Sequence, residues 1–279
     1  MRSTTSVLER NNFNKTVNEP TRLDIIGSKV TAAPFNTLVG VIFEWTKRRD
    51  SKTVCVANTH MLVEAHQRPS FSEVILQADM VTPDGMPLVW MLRLMGAKNQ
   101  DRVAGLDLLR ALCKKASQEN ISVYFLGSMD LILQRMKHRL QDEFPHLIIA
   151  DMEPLPFRSL TPAEDESLIQ RVNESGAGLV MVALGCPKQE CWMAAHKGKI
   201  EAVMVGLGGA FPVYAGIHRR ANKWLRSLGL EWLFRLHQEP KRLWKRYATS
   251  IPLFIYLAIK QLCHRSLGMT RVSQCVLNQ

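Results

Sequence analysis

The stretch Leu179-Val180-Met181-Val182-Ala183-Leu184-Gly185-Cys186-Pro187-Lys188-Gln189-Glu190 decides the fold class. Its first five residues are apolar without polar alternation, which reads as a strand buried on both faces. Gly185 then permits a tight turn, and Pro187 stands near the first turn of a following helix. The same grammar recurs on either side, with candidate strands at Thr53–Ala57, Val123–Leu126, Leu147–Ala150 and Ala202–Val205, two of them running into Gly127 and Gly206. Helical stretches separate them. Leu106–Ser117 and Leu131–Phe144 carry apolar residues at helical spacing, and Thr161-Pro162-Ala163-Glu164 is a capping box that starts a helix reaching about Asn173. From Lys52 to Gly209 this alternation predicts an α/β domain with a mostly parallel sheet covered by helices, and its ligands belong at the carboxyl edge of the strands.

The flanks differ from this core. Residues 1–36 read as a polar extension without the apolar core of a secretory signal, which argues against export. After Gly216 the chain turns basic: Arg219 to Arg246 holds nine Lys/Arg against Glu231 and Glu239, or +7 of the chain's net +11, together with Trp224, Trp232 and Trp244. Cations mixed with tryptophan suit an anionic membrane surface, where indoles sit at headgroup depth. The apolar run Ile251 to Leu262 is about half the ~20 residues of a spanning helix and contains Lys260, so it can lie on a membrane without crossing it. The expected division is residues 1–36, a core over 37–216 that folds by itself, and a basic appendage over 217–279. The six cysteines have no paired C-x-x-C spacing and read as reduced cytosolic thiols.

Chemistry concentrates in the loops. Asp84, between Pro83 and Gly85 and ahead of the apolar run Leu88–Leu94, reads either as a turn or capping aspartate or as a general base facing a cleft. Asn58 follows the first strand and can hydrogen-bond a sugar or base, whereas its neighbour His60 reads as structural. Arg102, just before a helix beginning near Gly105, is a surface ion-pair partner or a diphosphate clamp. Gln189 at a helix start is a better ligand contact than a metal site built on Cys186 and Cys191, which lacks a second pair. Gly206-Leu207-Gly208-Gly209 misses the G-x-G-x-x-G spacing and stands at the last strand, which disfavours a nicotinamide enzyme.

Taken in order, Asn58, Thr82-Pro83-Asp84-Gly85, Arg102-Val103-Ala104-Gly105, Ala183 through Glu190, Gly206 through Gly209 and Gly229-Leu230-Glu231-Trp232-Leu233-Phe234-Arg235-Leu236 resemble the TagA/WecG/CpsF glycosyltransferase family over roughly Thr37 to Leu262. The resemblance implies a Rossmann-like fold and an inverting, metal-independent transferase without a cofactor. It would move sugar from a UDP-sugar onto a polyprenyl-diphosphate-linked saccharide at the inner face of the plasma membrane, in surface or exopolysaccharide synthesis. It also implies Asp84 as catalytic base, with Asn58, Arg102, Gln189, Gly185, Gly208, Arg235, Arg242 and Lys245 around the substrates. Two departures, Val56 where some members have threonine and Pro212 where many have aspartate, bear on the donor. Two rival readings are a nucleic-acid binder, motivated by the charge, and a Rossmann-type oxidoreductase. The family resemblance predicts no nucleic-acid partner. A homo-oligomer is compatible with the sequence, which leaves that state open.

Overall fold

The computed structural model describes residues 20–156 and 158–276. In chain order the elements are β1 (Arg22–Ile25), β2 (Ser28–Thr31), α1 (Phe35–Lys47), β3 (Lys52–Ala57), α2 (Thr59–Gln67), α3 (Pro69–Gln77), β4 (Met80–Pro83), α4 (Met86–Leu94), α5 (Gly105–Gln118), β5 (Val123–Gly127), α6 (Asp130–Glu143), β6 (Ile149–Glu153), α7 (Pro162–Glu174), β7 (Leu179–Ala183), α8 (Lys188–His196), β8 (Val203–Gly206), α9 (Ala210–Tyr214), α10 (Lys223–Ser227), α11 (Glu231–Gln238) and α12 (Pro240–Val276). Six strands form one sheet in the order β4-β3-β8-β7-β5-β6, every neighbouring pair parallel.

Strand periodicity builds a core on each face of this sheet. Cys55, Ala57, Val180 and Val182 point into one layer with α2, α3, α4, α7 and α8. Val54, Val56, Met181 and Ala183 point into the other with α1, α5, α6 and α9. The α7 start is the expected capping box, with Thr161 and Glu164 exchanging hydrogen bonds. Its apolar stripe Leu168, Ile169 and Val172 is buried against the sheet.

The connections create the binding crevice. The chain leaves β3 and β7 toward α2 and α8 on one face, and leaves β8, which lies between them, toward α9 on the other. Adjacent strand ends that send their loops to opposite faces open a cleft at the carboxyl edge.

Three features were not predicted. Met80–Pro83 is a four-residue edge strand, too short to show a period, and Pro83 at its end is tolerated there. The stretch expected as a polar extension contains the β1-β2 hairpin, turned through Ile26-Gly27, whose Val30 is fully buried. Thr31 Oγ1 accepts from the Val81 N–H and ties the hairpin to β4. The strand expected at Leu147–Ala150 lies two or three residues later, because β6 is a half-exposed edge strand whose register against β5 shifts between Val123 and Tyr124.

The basic appendage packs back on the core. Leu243, Phe254 and Ala258 of α12 are buried, the last two in the layer of α2. Gln261 clamps the hairpin: its Oε1 accepts from the Ile26 N–H at 2.8 Å and its Nε2 donates to the Asp24 carbonyl at 2.6 Å. Among the described residues no helix is long and apolar enough to cross a membrane. Cys55, Cys113, Cys186, Cys191 and Cys263 are free thiols.

Candidate active site

The crevice holds a cavity of about 1010 Å³, open to solvent, lined by the strand-end loops and by the appendage. On the sheet side Asp84 directly follows β4, and its N–H donates to the Ala57 carbonyl at 2.8 Å, which fixes the loop against β3. Asn58 caps α2, its Oδ1 accepting from the Met61 N–H at 3.2 Å. The Arg102 loop is held when the Val103 N–H donates to the Pro83 carbonyl at 2.8 Å.

From there the Arg102 guanidinium reaches Asp84 twice, through Nε to the carbonyl and through a terminal nitrogen to Oδ1 at 2.9 Å. Its other terminal nitrogen lies 2.7 Å from Glu231 Oε2 of α11. Arg102 therefore joins core to appendage between two carboxylates. Burial alone would lower its pKa, but Asp84 and Glu231 hold it raised and fully charged. Asp84 behaves in the opposite sense: burial pushes its pKa above the usual carboxylate range and Glu231 adds to the rise, against Arg102 and Arg235. Its side chain is 24% exposed, enough to meet a substrate. A carboxylate shifted upward and still reachable is a better proton acceptor near neutral pH than an ordinary aspartate.

Gln189, the second residue of α8, is 4% exposed and closes the floor. Its Oε1 accepts from the Gly185 N–H at 3.2 Å, and its Nε2 donates to Glu190 Oε1 at 2.7 Å. The glycine run after β8 makes room for this arrangement. Gly208 has φ +39°, and a Cβ there would come within 2.9 Å of Gln189 Oε1. A Cβ on Gly209 would come within 2.6 Å of an Arg235 terminal nitrogen. These glycines seat protein side chains, in place of the dinucleotide pyrophosphate of a nicotinamide enzyme.

Of the residues expected at the site, Asp84, Asn58, Arg102, Gln189, Gly185, Gly208, Arg235 and Arg242 all line this cavity. Lys245 does not; its Nζ lies 5.8 Å from the Trp244 ring centroid. The chain breaks at Glu239, ahead of Pro240, which leaves Arg235 on α11 and Arg242 on α12. Pro240 opens the second helix, where its missing N–H costs nothing. Val56 lines the cavity, while Pro212 sits inside α9.

Sequence reasoning missed Arg246, Glu231, Arg219 and Arg220, all of which also line the cavity. Helical phase was the available signal for Arg246: it stands four residues after Arg242 and shares its face, whereas Lys245 is turned back by about 100°. Arg246 has no carboxylate partner among the described residues, its Nε is buried without a hydrogen bond, and a terminal nitrogen lies 3.5 Å from Asn58 Oδ1. Burial, with Arg235 and Arg242 nearby, lowers its pKa. Among the described residues, six arginines face three carboxylates around this cavity, so it suits a ligand carrying several negative charges. Nearby His60 is held neutral, its pKa lowered to about 4 by burial and by Arg246 and Arg68.

Comparisons with known proteins agree with this geometry. The chain is 32% identical over 208 residues, 74% of its own length and 78% of the relative's, to an N-acetylglucosaminyldiphosphoundecaprenol N-acetyl-beta-D-mannosaminyltransferase of Bacillus spizizenii. Residues 23–267, which include the β1-β2 hairpin and most of α12, match the model of the glycosyl transferase WecG/TagA/CpsF family, and the chain belongs to that family of glycosyltransferases.

Proposed function

We propose that this glycosyltransferase takes N-acetylmannosamine or a related sugar from a UDP-sugar and transfers it, with inversion, to a saccharide on polyprenyl diphosphate. The observation that carries this reading is Asp84, raised in pKa and reachable, at the floor of an arginine-lined cavity on the sheet's carboxyl edge. In the reaction the Asp84 carboxylate takes the proton of the acceptor hydroxyl, and the freed oxygen forms a bond to the anomeric carbon. The bond from that carbon to UDP breaks on the opposite face, and UDP leaves with the electron pair. The charge that develops on the UDP diphosphate falls between Arg235 and Arg242, whose guanidinium groups line the cavity. Asn58 and Gln189 present amides to the bound sugar or base, and Arg102 keeps Asp84 oriented.

The named relative supports the lipid-diphosphate acceptor. The tryptophans and cations of the appendage support work at an anionic surface, with Trp224 and Trp244 more than half exposed. We place the enzyme at the inner face of the plasma membrane, where nucleotide sugars are available, with no nucleic-acid partner and no metal ligand set in its mechanism. The core over residues 37–216 supplies the base, and the appendage over 217–279 supplies the diphosphate contacts. A panel of UDP-sugars incubated with N-acetylglucosaminyl-diphosphate-lipid acceptors tests the proposal, with UDP release and product mass as readouts. Equimolar UDP and a product heavier by one sugar are expected. Absence of product with every donor overturns the reading.

A further inference from the structure

The polar cavity continues into an apolar groove of about 1550 Å³, lined by α4, the Leu228–Trp232 segment and α12. Asn58, Asp84, Arg102, Glu231, Arg235 and Arg246 line both spaces, so the groove begins at the candidate base. Among the described residues, every charged residue of the groove is one of those six. Beyond them its walls are largely hydrocarbon and aromatic, including Trp90 and Leu94 of α4 and Ile255 and Ile259 of α12, exposed by 45, 71, 52 and 57%. Large apolar side chains this exposed, contiguous and adjoining a site mark a surface that ligand covers.

We propose that this groove holds the first isoprene units of the acceptor's polyprenyl chain, laid between α4 and α12 while the diphosphate rests at the arginine end. The inference rests on the acceptor class proposed above. The distribution of charge selects the occupant: cations at one end and uncharged apolar walls beyond match an amphiphile with an anionic head and a hydrocarbon tail. A peptide in the same groove would bury backbone amides against walls offering them few partners. Arg246, half-buried at the junction, with a buried and unpartnered Nε and no carboxylate partner among the described residues, is the cation left for the head group. The sugar on the far side of that head group then reaches Asp84, so the groove sets which hydroxyl meets the base.

Equilibrium titration of the full-length chain with inorganic diphosphate, geranyl diphosphate and farnesyl diphosphate, below micellar concentration and without lipid or detergent, isolates the groove from the bilayer. Affinity should rise with chain length, by about tenfold or more from inorganic to farnesyl diphosphate. Leu94→Asp on α4 and Ile255→Asp on α12 should each abolish that gain while UDP affinity, the folding control, stays unchanged. Trp244→Asp, outside the groove lining, should keep the gain. Farnesyl diphosphate binding no tighter than inorganic diphosphate would overturn the proposal. So would a loss of the gain in Trp244→Asp equal to that in Leu94→Asp, since the tail would then be held on the general apolar surface. No sugar transfer enters this measurement, so a failed transfer assay counts against the proposed function and a missing chain-length gain against the groove.

Discussion

The two walls of the active site are built by different means. The sheet-side wall, with Asn58, Asp84, Arg102 and Gln189, is fixed by backbone and capping hydrogen bonds at the sheet's carboxyl edge. The appendage wall, with Glu231, Arg235, Arg242 and Arg246, consists of long side chains on α11 and α12. Among the described residues Arg242 is tied only to Glu239, three residues away, and is largely exposed. In the proposed mechanism the first wall positions the proton acceptor, and the second supplies charge where charge develops. Substitutions in the two walls should therefore fail differently.

The largest effect should come from removing one wall. Truncation after Gly216 deletes Leu243, Phe254, Ala258 and the Gln261 clamp, so the expectation of an independently folding core has to be set against these contacts. Loss of a buried aromatic such as Phe254 costs about 3–5 kcal/mol by itself. The cut protein should lose turnover and melt well below the full chain in calorimetry. An unchanged Tm would show the walls to be separable.

Next come single cations. Arg246→Ala should lower turnover about 10²-fold at saturating lipid, because a preorganised contact to diphosphate is lost. Arg242→Ala should cost about tenfold, since its exposed ion pair shows it less tightly placed. Lys245→Ala should recover fully as lipid increases, losing only about 1 kcal/mol of surface attraction. Turnover against lipid concentration for the three variants ranks them, and a Lys245→Ala defect that persists at high lipid would reverse the assignment.

The smallest effect probes the link between the walls. Glu231→Gln removes a negative neighbour that raises the Asp84 pKa and leaves Arg102 to Asp84 alone. Both changes lower that pKa. The base works only when deprotonated, so activity is lost as pH falls through it, and the acid limb of kcat/KM should move to lower pH in the variant. A limb that stays in place would separate Glu231 from Asp84.

Legibility in the sequence followed the same division. Buried strands such as Leu179–Ala183 were readable because both faces are apolar, and Asn58 and Gln189 come shortly after such strands. Met80–Pro83 and the β1-β2 hairpin were not, because four-residue strands carry too little pattern and their burial comes from distant partners such as Gln261. On the appendage, composition marked the basic segment, but a run like Lys241-Arg242-Leu243-Trp244-Lys245-Arg246 does not say which cation turns inward. Helix phase and the break at Glu239 decide that, bringing in Arg246 and leaving out Lys245.

The most direct test of Asp84 as the base compares wild type with Asp84→Asn in the presence of UDP-N-acetylmannosamine and an N-acetylglucosaminyl-diphosphate-lipid acceptor. The substitution is nearly isosteric, so the variant should fold and bind UDP as the wild type does. Product formation should fall by about 10²–10⁴ because the oxygen that takes the acceptor proton is gone. Turnover of Asp84→Asn near the wild-type rate, with product of the same mass, would contradict a mechanism built on this carboxylate.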